Sequence, residues 1–433
     1  MSRVIKYINN NVLVKVASLN SVSVIIKIIA GFLTSKFIAI YLGAEGLALI
    51  GNLRDFTNAA RTFSILGMYN GVVKYVSEFK DNKNQLSKLL STSFYLGFLA
   101  TVLVSVVSYY FAQEINIYLF KDQSDYAFVI RIFAIALPFY ALNMFAFSIM
   151  NGYSKFKFLI IFNILGQILG ATITIVLIWQ NQLEGALVAV VIAESILFLI
   201  TLVGILNIKD LSPLIKASNF NFSFVKKLGS YSIMALFSAI LLPIVAFSIR
   251  SYLIEEQGLE CAGMWESMNR ISKYYLMFVS SLMALYILPR LSESKTIKGF
   301  RKVVFSFYKT IIPIFAAGLI LIYFLRHFIV EILFTSDFYP VEDLFFWQLL
   351  GDFVKVLSIV ITYQFLAKKM FWHYVILEAF SVTILYLTSI YFIDAFGVKG
   401  ATIAHFVTFA LHYLIVLLIF SSSLFGILPQ NQD

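Results

Sequence analysis

Eleven Lys and Arg residues fall inside segments otherwise apolar enough to cross a membrane, against six acids: Asp55, Glu78, Glu194, Glu266, Asp352 and Glu378. A charge at the bilayer centre costs about 2.5–3.5 kcal/mol even on a lenient insertion scale, so each needs a physical reason. Lys36, Lys74, Arg131, Arg250 and Lys309 lie near segment ends, where a long side chain reaches the headgroups. Lys27, Arg54, Arg61, Arg270, Lys273 and Lys355 lie too deep for that. Arg54 and Arg61 are seven apart and share a helix face at 3.6 residues per turn. Glu266, Arg270 and Lys273 share another by i, i+4, i+7 spacing. Most of these deep cations outnumber the acids around them, which suits a water-filled cavity that receives an anion. Arg forks and Lys point charges both bind phosphate. Lys27, Arg54, Arg61, Arg270 and Lys273 are therefore the candidate anion-binding residues. Asp55, Glu266, Asp352 and Lys355 are read as coupling groups or structural ion pairs; the spacing of Asp352–Lys355 (i, i+3) and Glu266–Arg270 (i, i+4) leaves self-neutralising pairs and functional charges both open.

Other chemistries lack their residues. No Ser-His-acid grouping, phosphate-binding glycine loop or zinc signature occurs, so no catalytic residue, metal or cofactor is expected. The single cysteine, Cys261, forms no internal disulfide framework. His405 and His412 share a helix face but have no acid beside them in sequence, so packing or one hydrogen bond is expected for each. Glu194 and Glu378 stand alone in their segments, as coupling sites or as hydrogen-bonded, protonated acids. Trp265, Tyr274 and Tyr275 are able to stack on a sugar, although interfacial belts are the commoner use of such residues.

The elements that carry these residues follow from composition. Of 433 residues, 60% are hydrophobic and 13% charged, whereas soluble domains carry about a quarter charged residues. About 260 apolar residues at about 20 per crossing supply roughly a dozen transmembrane helices. The spans read as 14–41, 46–78, 86–112, 127–150, 158–180, 184–207, 224–254, 261–289, 303–325, 343–367, 370–393 and 399–424. Five of the six deep cations lie on spans 1, 2 and 8. Pro243 in span 7 and Pro313 in span 9 permit kinks. Ten-residue alternation, the mark of a β-barrel, is absent.

Loop charge sets orientation. Nineteen Lys and Arg fall in breaks on one side, against Lys121, Arg326 and Lys399 on the other. The positive-inside rule then puts both termini in the cytoplasm, with the polar stretch 1–15 as a leader that is not cleaved. The net charge of +10 is explained by this loop bias, and no nucleic-acid partner is expected.

A faint repeat divides the chain. Tyr118-Leu119-Phe120 matches Ile332-Leu333-Phe334, Gly185-Ala186 matches Gly400-Ala401, and Gly46 matches Gly263, at offsets of 214, 215 and 217. The expected organisation is an N-terminal six-helix lobe (1–207), a basic cytoplasmic linker (208–223) and a C-terminal six-helix lobe (224–433). Parallel halves of this kind are a transporter architecture.

Several segments resemble the Wzx-type polysaccharide flippases, which include O-antigen translocases and the flippases of enterobacterial common antigen. Gly51-Asn52-Leu53-Arg54-Asp55, Asn70-Gly71-Val72-Val73-Lys74-Tyr75-Val76 and Asp81-Asn82 resemble that family's second span. Asp343-Leu344-Phe345-Phe346-Trp347-Gln348-Leu349, Gly351-Asp352, Lys355-Val356 and Ala367-Lys368 are also similar to it. So is 265–292, with Ile271-Ser272, Tyr275, Tyr286 and Leu288-Pro289. The resemblance implies an all-α membrane fold of twelve helices, in two pseudo-symmetric six-helix lobes around a V-shaped cavity lined by spans 1, 2, 7 and 8. It implies a substrate too, undecaprenyl diphosphate carrying a short oligosaccharide, turned from the cytoplasmic to the periplasmic leaflet of the bacterial inner membrane by alternating access. Its partners would be this lipid-linked oligosaccharide, the bilayer, and a polysaccharide polymerase and chain-length regulator. Cavity cations of the family engage the diphosphate, and Lys27, Arg54, Arg270 and Lys273 match best by position, Arg61 less closely. Lys27 sits where the family varies freely, so chemistry more than motif carries it. Two rivals remain: a cation-coupled multidrug exporter of the same fold, for which an acidic cavity is expected, and a membrane polymerase or ligase, for which the outside loops here are short.

Overall fold

The computed structural model describes residues 12–121, 125–206, 214–294, 296–368 and 370–425. Residues 1–11 of the expected leader and 208–213 of the expected linker lie outside the described residues, while 12–15 of the leader begin the first helix. The described chain is helical throughout, because inside hydrocarbon a segment must satisfy its own backbone hydrogen bonds.

In chain order the helices are α1 Val12–Ser64, α2 Tyr69–Phe79, α3 Lys83–Tyr110, α4 Ala112–Phe120, α5 Ala127–Gly152, α6 Phe156–Leu206 and α7 Phe222–Gln257. They continue as α8 Leu259–Leu282, α9 Leu288–Glu293, α10 Ile297–Phe324, α11 Arg326–Leu333, α12 Phe345–Ala367, α13 Phe371–Phe396, α14 Val398–Ile419 and α15 Ser421–Phe425. Among the described residues nine helical stretches are long and apolar enough to cross a membrane. Two of them are each two helices joined across a kink: α1 breaks at Gly43 (φ 63) and α6 at Asn181 and Gln182 (Gln182 φ 45). With those arms separated, and with α8, whose four charges lower its hydropathy, the described helices supply the twelve crossings expected from composition. This is a multi-pass membrane protein.

Span 2 departs from its expected form. The helix ends at Ser64, and a turn with Leu66 and Gly67 at positive φ (51 and 59) leads into α2. Span 8 ends its α-helix at Leu282 and passes through a π-helical turn, Met283–Ile287, into α9.

The repeat is sharper in three dimensions than in sequence. Helices α3 and α10 are each 28 residues long and stand 214 residues apart at both ends. Both are capped at matching positions: Asn82 Oδ1 accepts from the Gln85 amide and Thr296 Oγ1 from the Gly299 amide, each at 3.1 Å. Each is followed by a short helix, α4 or α11, whose last turns bury the matched Leu119-Phe120 and Leu333-Phe334. Gly185 and Gly400 also do the same work. A Cβ at either would overlap the carbonyl eight residues back, Leu177 or Phe392, so each closes a tight turn between two crossings.

The chain forms two compact units, one from Met1–Leu42 and Leu49–Pro243, the other from Gly43–Ala48 and Ile244–Asp433. In the first, Met68, Val72, Val76, Leu86, Leu89, Ile149 and Phe224 join α2, α3, α5 and the start of α7 in one apolar core. In the second, the core runs from Val279 through Phe307, Val360 and Phe365 to Val416 and Leu424. Gly43–Ala48 joins the second unit because Gly263 on α8 lies directly against the Ala44 backbone, leaving no room for a side chain.

Candidate functional site: charged residues inside the helices

In the first unit the buried cation is Arg61, 5% exposed. Its Nη1 lies 3.2 Å from Glu194 Oε2 on the second arm of α6. Its Nη2 donates to the carbonyls of Val190 and Val191, at 3.0 and 3.4 Å, and its guanidinium lies 5.2 Å from the Tyr140 ring centre on α5. A guanidinium so held satisfies the rule that a charge in the membrane is paired or hydrogen-bonded. Glu194, which the sequence left alone in its span, therefore has a partner 133 residues away in the chain. Arg54 and Asp55, about two turns earlier on the same arm, are half-buried, and Lys27 on the first arm is exposed. Asn52 is buried and ties this arm to α4 through Nδ2 to the Leu119 carbonyl, 2.8 Å.

In the second unit two buried polar centres join residues from different helices. Glu266 on α8 accepts from Arg250 Nη2 on α7 at 2.8 Å, with both side chains 3% exposed. Arg250 also lies over the Trp265 ring, 5.6 Å from its centre. Arg250 thus does not snorkel. The helix end on which it sits is covered by α8, so protein surrounds it where headgroups were expected.

Asp352 on α12 is fully buried and does not pair with Lys355. Its Oδ1 meets His405 Nε2 on α14 at 2.9 Å. Its Oδ2 accepts from Ser272 Oγ and Tyr275 OH on α8, both at 2.5 Å, and from Gln348 Nε2 at 3.3 Å. Lys355 also reaches toward α14, with its ammonium 4.8 Å from the centre of the Phe409 ring, which packs on His405. Residues i and i+3 are neighbours on a helix, but Asp352 faces the seam with α8 and α14, where four donors converge. His405 accordingly has the acid partner that its own helix did not offer. His412 behaves as expected of a hydrogen-bonded core histidine: Nδ1 meets Ser381 Oγ at 2.6 Å and Nε2 lies 3.4 Å from Thr362 Oγ1.

Two of the three aromatic residues read as able to stack on a sugar are held by other contacts. Trp265 is buried beneath Arg250 and Tyr275 donates to Asp352. Of the other candidate anion binders, Arg270 is 4% exposed and Lys273, one turn on, is exposed. The structure therefore separates the five candidates into a buried, scaffold-bound Arg61, a buried Arg270, a half-buried Arg54, and two exposed lysines, Lys27 and Lys273. Ser272 and Gln348 stood in the sequence only as parts of resembling segments and Arg250 as a snorkelling residue, and none was read as part of a site. Only Gln348, at i, i+4 from Asp352, carried a local signal.

This helical fold is similar to that of solved transporters of the MOP superfamily. The fold superposes on an inward-facing multidrug resistance MATE family transporter of that superfamily, with a TM-score of 0.76, 14% identity, and 91% of this chain and 94% of the other covered. It also superposes on the lipid II flippase MurJ in an inward closed conformation, with a TM-score of 0.72, 17% identity and coverage of 94% and 87%. Residues 13–295 match the model of the polysaccharide biosynthesis protein family, and the chain belongs to that family. It is 28% identical over 409 residues to the lipid III flippase of Escherichia coli strain K12, covering 93% of this chain and 96% of that one.

Proposed function

We propose that this protein is a flippase for lipid-linked oligosaccharides, turning a prenyl-diphosphate-linked repeat unit across the inner membrane for surface polysaccharide assembly. The observation that carries this reading is the match to the lipid III flippase, which runs through 93% of the chain and includes both units. The residues present suit such a substrate. A diphosphate needs cations that a polar headgroup can approach, and Lys27, Arg54 and Lys273 are exposed or half-buried cations of that kind, while Arg270 is buried. Arg54 offers a fork with two parallel donors, and Lys27 and Lys273 offer exposed point charges. Arg61 is assigned to holding α1 against α6. Alternating exposure of the headgroup to the two sides moves it, and no bond is made or broken, so the protein acts as a transporter and needs no catalytic residue. The cation-rich breaks face the cytoplasm, as do both termini.

The experiment is identification of the lipid-linked intermediate that accumulates in cells lacking this protein. Accumulation of an undecaprenyl-diphosphate oligosaccharide, reversed by the wild-type gene, supports the reading. A cell without such an intermediate and with normal surface polysaccharide overturns it.

A further inference from the structure

A cavity of about 240 Å³ lies in the first unit among α2, α3 and α5, and none of the charged residues discussed above lines it. Its origin is legible in the chain. Gly97 presents no side chain, and Pro138 lacks the amide that would bond the carbonyl four residues back, so α5 is free to bend there. Phe94, Phe145, Met68 and Val72 form the walls. At its mouth stand Phe98 and Val102, 58% and 40% exposed on the face of α3 that also shows Leu99 and Leu103. In a multi-pass protein such an apolar face meets the bilayer hydrocarbon, so the cavity opens from that established contact.

Its chemistry is one-sided. The hydroxyls around it are turned onto the backbone: Ser93 Oγ to the Leu89 carbonyl (2.9 Å), Thr101 Oγ1 to Gly97 and Ser64 (2.7 and 2.9 Å), and Ser148 Oγ to Phe145 (2.7 Å). Tyr69 OH accepts from Asn151 Nδ2 at 3.2 Å. A water needs about two to four polar partners, and an apolar cavity of about 150 Å³ stays dry yet takes benzene. This one is larger, and its walls hold neither water, nor a sugar, nor a phosphate.

We propose that this cavity is a binding site for an acyl chain of a bilayer phospholipid, entering past Phe98 and Val102. None of the cations assigned to the diphosphate lines it, which favours a phospholipid over the prenyl tail of a substrate anchored by them. The inference does not depend on what the protein transports.

The test is native mass spectrometry of the full chain, purified in mild detergent and exchanged with chain-deuterated phosphatidylglycerol. The wild type should retain one phosphatidylglycerol. Gly97→Phe should fill the space, since a Cβ at Gly97 meets only the Met68 Cε, at 3.7 Å, and should lower the retained fraction at least fivefold. Leu99→Phe, on the same lipid-facing surface but outside the cavity, should retain it. If Gly97→Phe does not fold, Ala141→Leu fills the cavity from the opposite wall. A wild type without bound phospholipid, a bound prenyl carrier in its place, equal retention by the filled variant, or loss in Leu99→Phe would each overturn the proposal.

Discussion

His405 Nε2 lies 2.9 Å from Asp352 Oδ1, on a carboxylate with no exposed surface that also accepts from Ser272, Tyr275 and Gln348. One side chain therefore fastens α8, α12 and α14 together. Removing it strands several buried donors at once, and an unpaired buried polar group costs about 1–3 kcal/mol. Asp352→Ala should lower stability by about 3 kcal/mol, read by thermal melting in detergent. Asp352→Asn keeps the shape and one acceptor oxygen, and should lose about half as much. Equal melting of Asp352→Ala and wild type would show that the four contacts do not hold the seam.

Arg61 and Glu194 are an unequal pair. The Arg61 side chain is 6% exposed and that of Glu194 57%, and Arg61 also serves two carbonyls. Arg61→Ala is expected to cost about 3 kcal/mol, near the low end for breaking a buried pair. Glu194→Ala should cost about 1 kcal/mol, as for an exposed pair. The charge swap Arg61→Glu with Glu194→Arg should not restore stability, because a carboxylate cannot donate to the Val190 and Val191 carbonyls. Full rescue by the swap would reduce the arrangement to a simple ion pair.

The paired turns make a prediction that spans the repeat. Gly185→Ala and Gly400→Ala each push a methyl group into a carbonyl and should each cost at least about 2 kcal/mol, the middle of the range for overpacking. At Gly43 the φ is 63 but nothing lies within 4 Å of a built Cβ. Gly43→Ala should cost only the backbone term, about 1 kcal/mol. Melting temperatures of the three variants check the order.

Much of this was readable from the chain, and the failures share a cause. Hydrophobic runs placed the crossings, because the bilayer imposes length and apolarity on each segment separately. Gly185 and Gly400 signalled the repeat, because close approach tolerates no other residue. Pairing was misread wherever the partner sat on another helix. Spacing suggested Asp352 with Lys355, yet the donors came from α8 and α14. Arg250 looked like a snorkelling residue because sequence shows a helix end and not the helix that covers it. Glu194 looked solitary because Arg61 is 133 residues away. The candidate site was legible as a set of residue types, while the division into scaffold and approachable cations needed the tertiary contacts.

The drug-exporter rival also has a direct readout. The approachable charged groups Lys27, Arg54 and Lys273 are cationic and would repel cationic drugs. Deleting the gene should leave susceptibility to such drugs within about twofold of wild type, measured by minimum inhibitory concentration. A rise in susceptibility of an order of magnitude, reversed by the gene, would favour drug export.

The central claim is that the purified chain moves a lipid-linked oligosaccharide between leaflets. Proteoliposomes carrying undecaprenyl-diphosphate oligosaccharide in both leaflets, with a membrane-impermeant glycosidase outside, measure this directly. With wild type the hydrolysed fraction should rise from the outer-leaflet half toward completion, and with Arg54→Glu or Lys273→Glu it should stay near half while melting stays near wild type. A hydrolysed fraction that remains at half with folded wild-type protein would contradict the account.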